Sequence, residues 1–244
     1  MLQELLAIFA IIFISQGVQT ITGFAGTMLA LPFLVLIMNI VDAKVLLMFV
    51  GFVWSIWILR EEFSYINWQI VRFVCLIMPI GMLLGIWLTG TISDQLLLWI
   101  MSGVIILAAL YNLLLAKYQK SNSAEKPVTW KGILIVLFAG VIHGLLIMGG
   151  PLLVLFVNEH YSSKESYRAT LSLIWILLNL ILLVSFMWQH VIKIEVLALS
   201  AYSMIPLIVS MIAGNWIYQK VDNSKFTTIT NFTLLLAGIM TLFK

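Results

Sequence analysis

The chain has 244 residues, 63% of them hydrophobic and 9% charged, with a mean hydropathy of +1.12. An ordinary soluble domain is about 45–50% apolar and about 25% charged, so the composition excludes a soluble globular protein and points to one immersed in lipid. The net charge of +3 comes from basic residues scattered between apolar segments, which argues for an orientation signal and against a nucleic-acid partner.

A bilayer crossing takes about 20 apolar residues. On that measure the chain reads as an all-α, polytopic membrane protein with ten apolar segments, at residues 2–21, 26–40, 43–59, 68–88, 95–116, 132–146, 151–157, 167–188, 196–218 and 226–243. The first has no Lys or Arg ahead of it and no small-residue cleavage pattern after it, so it is expected as a retained helix rather than a signal peptide. Between the first two lies "TGFAGTML", where Gly23 and Gly26 interrupt an otherwise apolar run and Thr27 adds a hydroxyl donor. The single cysteine, Cys75, sits inside the fourth segment, so no intrachain disulfide forms and core packing is its expected role.

Residues 117–131 form the one polar stretch that reads as a linker, almost midway along the chain. Beyond it the sixth segment runs into "GVIHGLLIMGGPLLVLF", where His143, Gly149, Gly150 and Pro151 again interrupt an apolar run. Sliding the chain on itself by 124 positions lays Gln19 over His143, the start of "GTMLALPF" over that of "GPLLVLFV", and "DAKVLL" over "SYRATL". A shift of 129 lays "GIW" (Gly85 to Trp87) over "GNW" (Gly214 to Trp216). The shared order predicts two duplicated halves of about five segments each (8–10 segments in total), 1–116 and 132–244, joined by a cytoplasmic linker at 117–131. An odd number of segments per half makes the halves insert upside down relative to each other, as in many transporters.

The charges agree with one of two topologies. If each glycine-joined pair enters and returns, only Lys44, Lys193 and Lys244 lie on one face and the other ten of the thirteen Lys and Arg share the opposite one. If each pair crosses as a single broken helix, the split is eight against five. The positive-inside rule favours the first, with the linker in the cytoplasm of a cell-membrane protein and both termini outside.

The glycine breaks are the candidate site. Irregular backbone at membrane depth survives only where protein buries it or it lines a watery cavity. A short helix beginning at about Pro151, and its counterpart after Gly26, would aim free amides and a positive dipole end at the turn, which suits an anion. The competing reading is that these glycines only let helices pack closely. His143 and Gln19, at equivalent places before the two breaks, are candidates because polar groups in the membrane are costly. Asn179 and Ser55, polar and mid-span, either line the site or bond between helices. Arg168 and its counterpart Lys44 read first as interfacial anchors, with drawing anions inward as the alternative.

The sequence holds no H-E-x-x-H, G-x-S-x-G or P-loop, and its acids all fall at segment ends or in loops, so neither an enzyme nor a cofactor or metal site is expected. The runs "GFAGTMLALPFLVL", "GLLIMGGPLLVLF" and "YRATLSLIWILLN", with the "GIW" and "GNW" marks, resemble the sulfite exporter TauE/SafE family over essentially the whole chain. That resemblance implies a multi-pass transporter of small organosulfur or sulfur-oxyanion compounds. The expected substrate-binding residues are Gln19, Gly23, Gly26, Thr27, His143, Gly149, Gly150, Pro151 and Asn179, with a small anion and the lipid bilayer as partners and the oligomeric state left open. The rival is a non-transporting membrane scaffold or accessory subunit whose glycines serve packing alone.

Overall fold

The computed structural model describes residues 2–115, 129–157 and 163–220, with residues 235 and 239. Most of the linker and the tenth expected segment, 226–243, lie outside the described residues. Among those described, every regular element is helical: α1 Leu2–Thr22, α2 Gly26–Leu34, α3 Ile40–Glu62, α4 Trp68–Thr89, α5 Asp94–Leu115, α6 Trp130–Leu146, α7 Gly150–Val157, α8 Lys164–Trp188, α9 Ile194–Tyr202 and α10 Met204–Lys220, with one 3₁₀ turn at Phe63–Tyr65. The all-helical membrane fold expected from composition is the fold observed.

Among the described residues, five stretches are long and apolar enough to cross a bilayer: Leu2–Thr22, Ile40–Tyr65, Trp68–Thr89, Lys164–Trp188 and Ile194–Lys220. At 1.5 Å per residue, the 21 residues of α1 reach about 30 Å, a full hydrocarbon core. The nine residues of α2 and eight of α7 reach only about 12–14 Å, so neither crosses alone.

Polar residues just ahead of several helices explain where they start. Asn67 accepts from the Gln69 and Ile70 amides, Thr129 from Gly132, Ser163 from Ser166, and Asn39 from Asp42. Each satisfies first-turn N–H groups that lipid cannot. The ninth expected segment, 196–218, falls within one span, Ile194–Lys220, made of α9 and α10 with Ser203 between them still in a helical conformation (φ −68°, ψ −10°). Pro206 lies in the first turn of α10, where its missing N–H costs least. Pro79, by contrast, sits within an unbroken α4.

The chain divides into two compact units: Met1–Val50, Ser93–Gln119 and Val191–Lys244 in one, Gly51–Ile92 and Lys120–His190 in the other. Each draws on segments from both sides of the linker. In the first unit α10 lies along α1, where a Cβ on Gly214 would stand 3.0 Å from the Gly17 carbonyl oxygen and 2.9 Å from the Thr20 Cβ. In the second, α4 lies along α6. Any side chain on Gly81, Gly85, Gly140 or Gly144 would collide with the carbonyl oxygen of Leu137, Val141, Met78 or Met82 respectively. Small residues let the two backbones touch, the usual source of helix association in lipid.

Arg168, expected as an interfacial anchor, has a carboxylate partner. It is buried in the second unit and ion-paired with Glu62, its Nε donating to both carboxylate oxygens at 3.0 Å and its Nη2 to Oε1. The fold brings that carboxylate to it from 106 residues away and so accounts for a buried cation. Lys44 is buried as well, in the first unit.

Candidate functional site

The first break starts where α1 runs out of helix at Thr22. Gly23 takes a left-handed conformation (φ 80°), which costs a glycine nothing, and its N–H still donates to the Gln19 carbonyl at 2.7 Å. The Thr22 hydroxyl donates to the Val18 carbonyl at 2.8 Å and accepts the Ala25 N–H at 3.2 Å, so one side chain ties the end of α1 to the turn. α2 then begins at Gly26 with no cap from its own N-cap residue, Ala25. The cap comes instead from α1: the Gln19 Oε1 accepts the Gly26 N–H at 2.5 Å, and its Nε2 reaches the Gly23 carbonyl at 3.5 Å.

This bond needs close approach. A Cβ on Gly26 would fall 2.6 Å from the Gln19 Cβ and 2.9 Å from the Ser15 carbonyl oxygen. Residues seven and eleven positions apart touch only if the chain has turned back on the helix it left, so the break reverses direction. Gln19, Gly23 and Gly26 therefore meet in one buried turn, with Thr27 half-buried just beyond it.

The second break has the same plan and different chemistry. α6 ends at Leu146, and the left-handed residue is Ile147 (φ 58°, ψ 27°), whose N–H donates to the His143 carbonyl at 2.7 Å. The sequence reading gave this turn to the two glycines, but the strained position falls on a β-branched residue, at a cost of about 1–2 kcal/mol. Strain of this kind is kept where the surrounding structure over-determines it, often at functional sites. Gly149 answers another need, because a side chain there would collide with the Ala139 carbonyl oxygen and press on the His143 Cβ at 2.8 Å. From Gly150 and Pro151, both buried, α7 returns along α6 until Phe156 comes against Gly132 and stacks on Phe73 at 5.0 Å.

His143 is 3% exposed, and its ring stacks on that of Trp175 with centroids 5.4 Å apart and planes 19° from parallel. Stacking occupies one face of the imidazole. Asn179, one turn after Trp175 on α8, is buried, and its Nδ2 lies 3.7 Å from where a Gly51 Cβ would be. Ser55 is fully buried and donates to the Gly51 carbonyl at 2.7 Å, so its hydroxyl is used within its own helix.

The structure thus gathers Gln19, Gly23 and Gly26 in one unit, and His143, Gly149, Gly150 and Pro151 in the other, with Asn179 a turn from the Trp175 that stacks on His143. Sequence reasoning missed Thr22, Trp175 and Ile147. Thr22 adjoins Gly23 and Trp175 precedes Asn179 by one turn, and both signals were available; nothing in the sequence marks Ile147. Among the described residues, no group of three or more His, Cys, Asp or Glu side chains gathers to hold a metal ion.

The family model for the sulfite exporter TauE/SafE matches residues 8–241 of the chain. No curated protein and no solved structure matches it.

Proposed function

The chain belongs to the sulfite exporter TauE/SafE family, a family of membrane transporters, and from that membership we propose that it carries a small sulfur oxyanion or organosulfonate out across a bacterial cell membrane. In this reading substrate is handled at both breaks, by Gln19, Gly23, Gly26 and Thr27 in the first and His143, Gly149, Gly150 and Pro151 in the second, with Asn179 in support. The linker, 117–131, is cytoplasmic, and the breaks belong to two duplicated halves.

One observation carries the proposal. Both breaks follow one spacing: a polar side chain at Gln19 or His143, a left-handed residue four positions on at Gly23 or Ile147, and a short helix three positions later at Gly26 or Gly150. The two carbonyl-to-amide bonds that close the helices are both 2.7 Å. Each of these turns of the same build opens a helix too short to cross, and short helix starts of this kind hold anions in transporters. Glycines serving only packing have no need for that repetition; those of α4 and α6 pack without any break.

Purified protein titrated with sulfite, sulfonates and simple carboxylates tests this by thermal shift. A ligand at 100 times its dissociation constant stabilises by about 2.7 kcal/mol. Replacing His143 with Leu removes one hydrogen bond to a charged ligand, about 1.5–3 kcal/mol, so affinity falls roughly 10-fold to 150-fold, while His143→Gln keeps a donor and part of the affinity. Equal affinity in all three proteins would remove His143 from the site.

A further inference from the structure

α8 is long and apolar enough to cross a bilayer, yet one of its faces is polar. Counting about 100° per residue, Ser172, Trp175 and Asn179 all lie within about 40° of Arg168 around the helix axis. The four are buried, and each carries an N–H or O–H of the kind that donates to an anion. Thr170, about 160° away around the same helix, is engaged elsewhere and accepts the Asn67 N–H at 2.9 Å.

Contacts at both ends fix what this face meets. Arg168 is paired with Glu62, and the Asn179 Nδ2 lies 3.7 Å from where a Gly51 Cβ would be, so both look onto α3. Arg168 and Asn179 stand eleven positions apart, as do Gly51 and Glu62, so the two stretches run antiparallel in step. Ser172 falls between the two contacts, about 20° from Asn179 and about 40° from Arg168, and so looks onto α3 as they do. Trp175, three residues on, turns the other way from Arg168 and meets the His143 ring on α6.

A serine within a helix ordinarily returns its hydroxyl to the carbonyl four residues back, as Ser55 does to Gly51 at 2.7 Å, Ser102 to Leu98 at 2.9 Å and Ser200 to Val196 at 2.7 Å. Ser172 does not. It is 0% exposed, and its hydroxyl has no partner among the described residues. Ser55, the one hydroxyl on α3 between Gly51 and Glu62, is already spent within its own helix. A buried polar group in that condition calls for a ligand or water to explain it.

We propose that this face of α8 lines the anion's path through the second unit, with Ser172 as a substrate-contacting residue between Arg168 and His143. This rests on the function proposed above. An anion at membrane depth needs donors in place of its water, and it must meet them at short intervals to keep moving. Ser172 lies about 6 Å along the axis from Arg168 and about 4.5 Å from the Trp175 that stacks on His143. Its hydroxyl donates to the anion between those two stations. Glu62, the acid beside this face, is held by Arg168.

Cysteine reactivity in the purified full-length protein, with Cys75 replaced by Ala, tests the assignment. Ser172→Cys and Ile174→Cys place a thiol at two equally buried positions, the second about 160° around the helix from the first. Each is treated with two thiol reagents of similar size, one carrying a sulfonate and the other a quaternary ammonium. The thiol at 172 is expected to react about 10-fold or more faster with the sulfonate reagent than with the ammonium one, while the thiol at 174 stays inert to both. Ser172→Ala gives a second reading should the cysteine variant not fold. It should unfold at the wild-type temperature and bind sulfite about 10-fold or more weakly by isothermal titration calorimetry. A thiol at 172 as inert as that at 174, equal rates with the two reagents, or wild-type affinity in Ser172→Ala overturns the path and leaves the transporter reading standing. A wild type that binds none of sulfite, sulfonates and carboxylates overturns both.

Discussion

Substituting Gln19 separates the architecture of the first break from its chemistry. In Gln19→Leu the Gly26 N–H loses its acceptor and stays buried, a cost of about 1–3 kcal/mol for an unsatisfied donor. For a chain of this size 1 kcal/mol corresponds to about 2–4 °C, so thermal unfolding in detergent, followed by tryptophan fluorescence, should drop by about 2–12 °C. Gln19→Glu keeps an acceptor at the same reach, strengthens the bond through its charge and sits at the positive end of α2, which offsets the cost of burying a carboxylate. It should unfold within about 3 °C of the wild type. It also sets a fixed negative charge where the proposed substrate must come, so anion binding and transport should be lost in a protein that remains folded. A stable Gln19→Glu variant with full transport would refute the reasoning, because the break would then be a structural turn with no anion near it.

Other consequences follow from packing and charge. Gly144→Ala drives a methyl group into the Met82 carbonyl and should destabilise by about 1–3 kcal/mol or more, whereas Gly103→Ala, with nothing within 4 Å, should stabilise by about 0.5–1 kcal/mol; thermal unfolding of both variants checks the contrast. Arg168→Ala strands a buried Glu62 carboxylate at a cost of about 3–5 kcal/mol, and adding Glu62→Leu with Arg168→Met should recover most of it. Orientation is read by placing single cysteines between residues 117 and 131 after replacing Cys75. They should resist an impermeant thiol reagent in intact cells, and labelling from outside would reverse the proposed topology.

What the sequence disclosed and what it withheld divide along the range of the interactions. The ends of α1 and α6 and the starts of α2 and α7 were legible because glycine and proline act locally, whatever packs around them. Ile147 was not legible, since an isoleucine accepts a left-handed backbone only when its surroundings impose it. The burial of Arg168 was also hidden, because its partner Glu62 comes from another helix 106 residues away. Pro79 and Pro206 look alike in apolar runs, yet one stands inside a continuous helix and the other in the first turn of a new one. The draw of each compact unit on segments from both sides of the linker is likewise a matter of long-range contact, on which local patterning is silent.

The most direct test of the account is flux. Purified protein is reconstituted into liposomes loaded with sulfite, and efflux down the gradient is compared for wild type, Gly150→Leu and protein-free liposomes. Gly150 opens α7 in a buried turn, and a leucine there adds a bulky side chain at the helix start. The account predicts that wild type releases sulfite or another small oxyanion well above the protein-free rate, and that Gly150→Leu, still folded in the bilayer, falls to that rate. Wild-type efflux no faster than protein-free liposomes for every small oxyanion tried, or full efflux through Gly150→Leu, would contradict it.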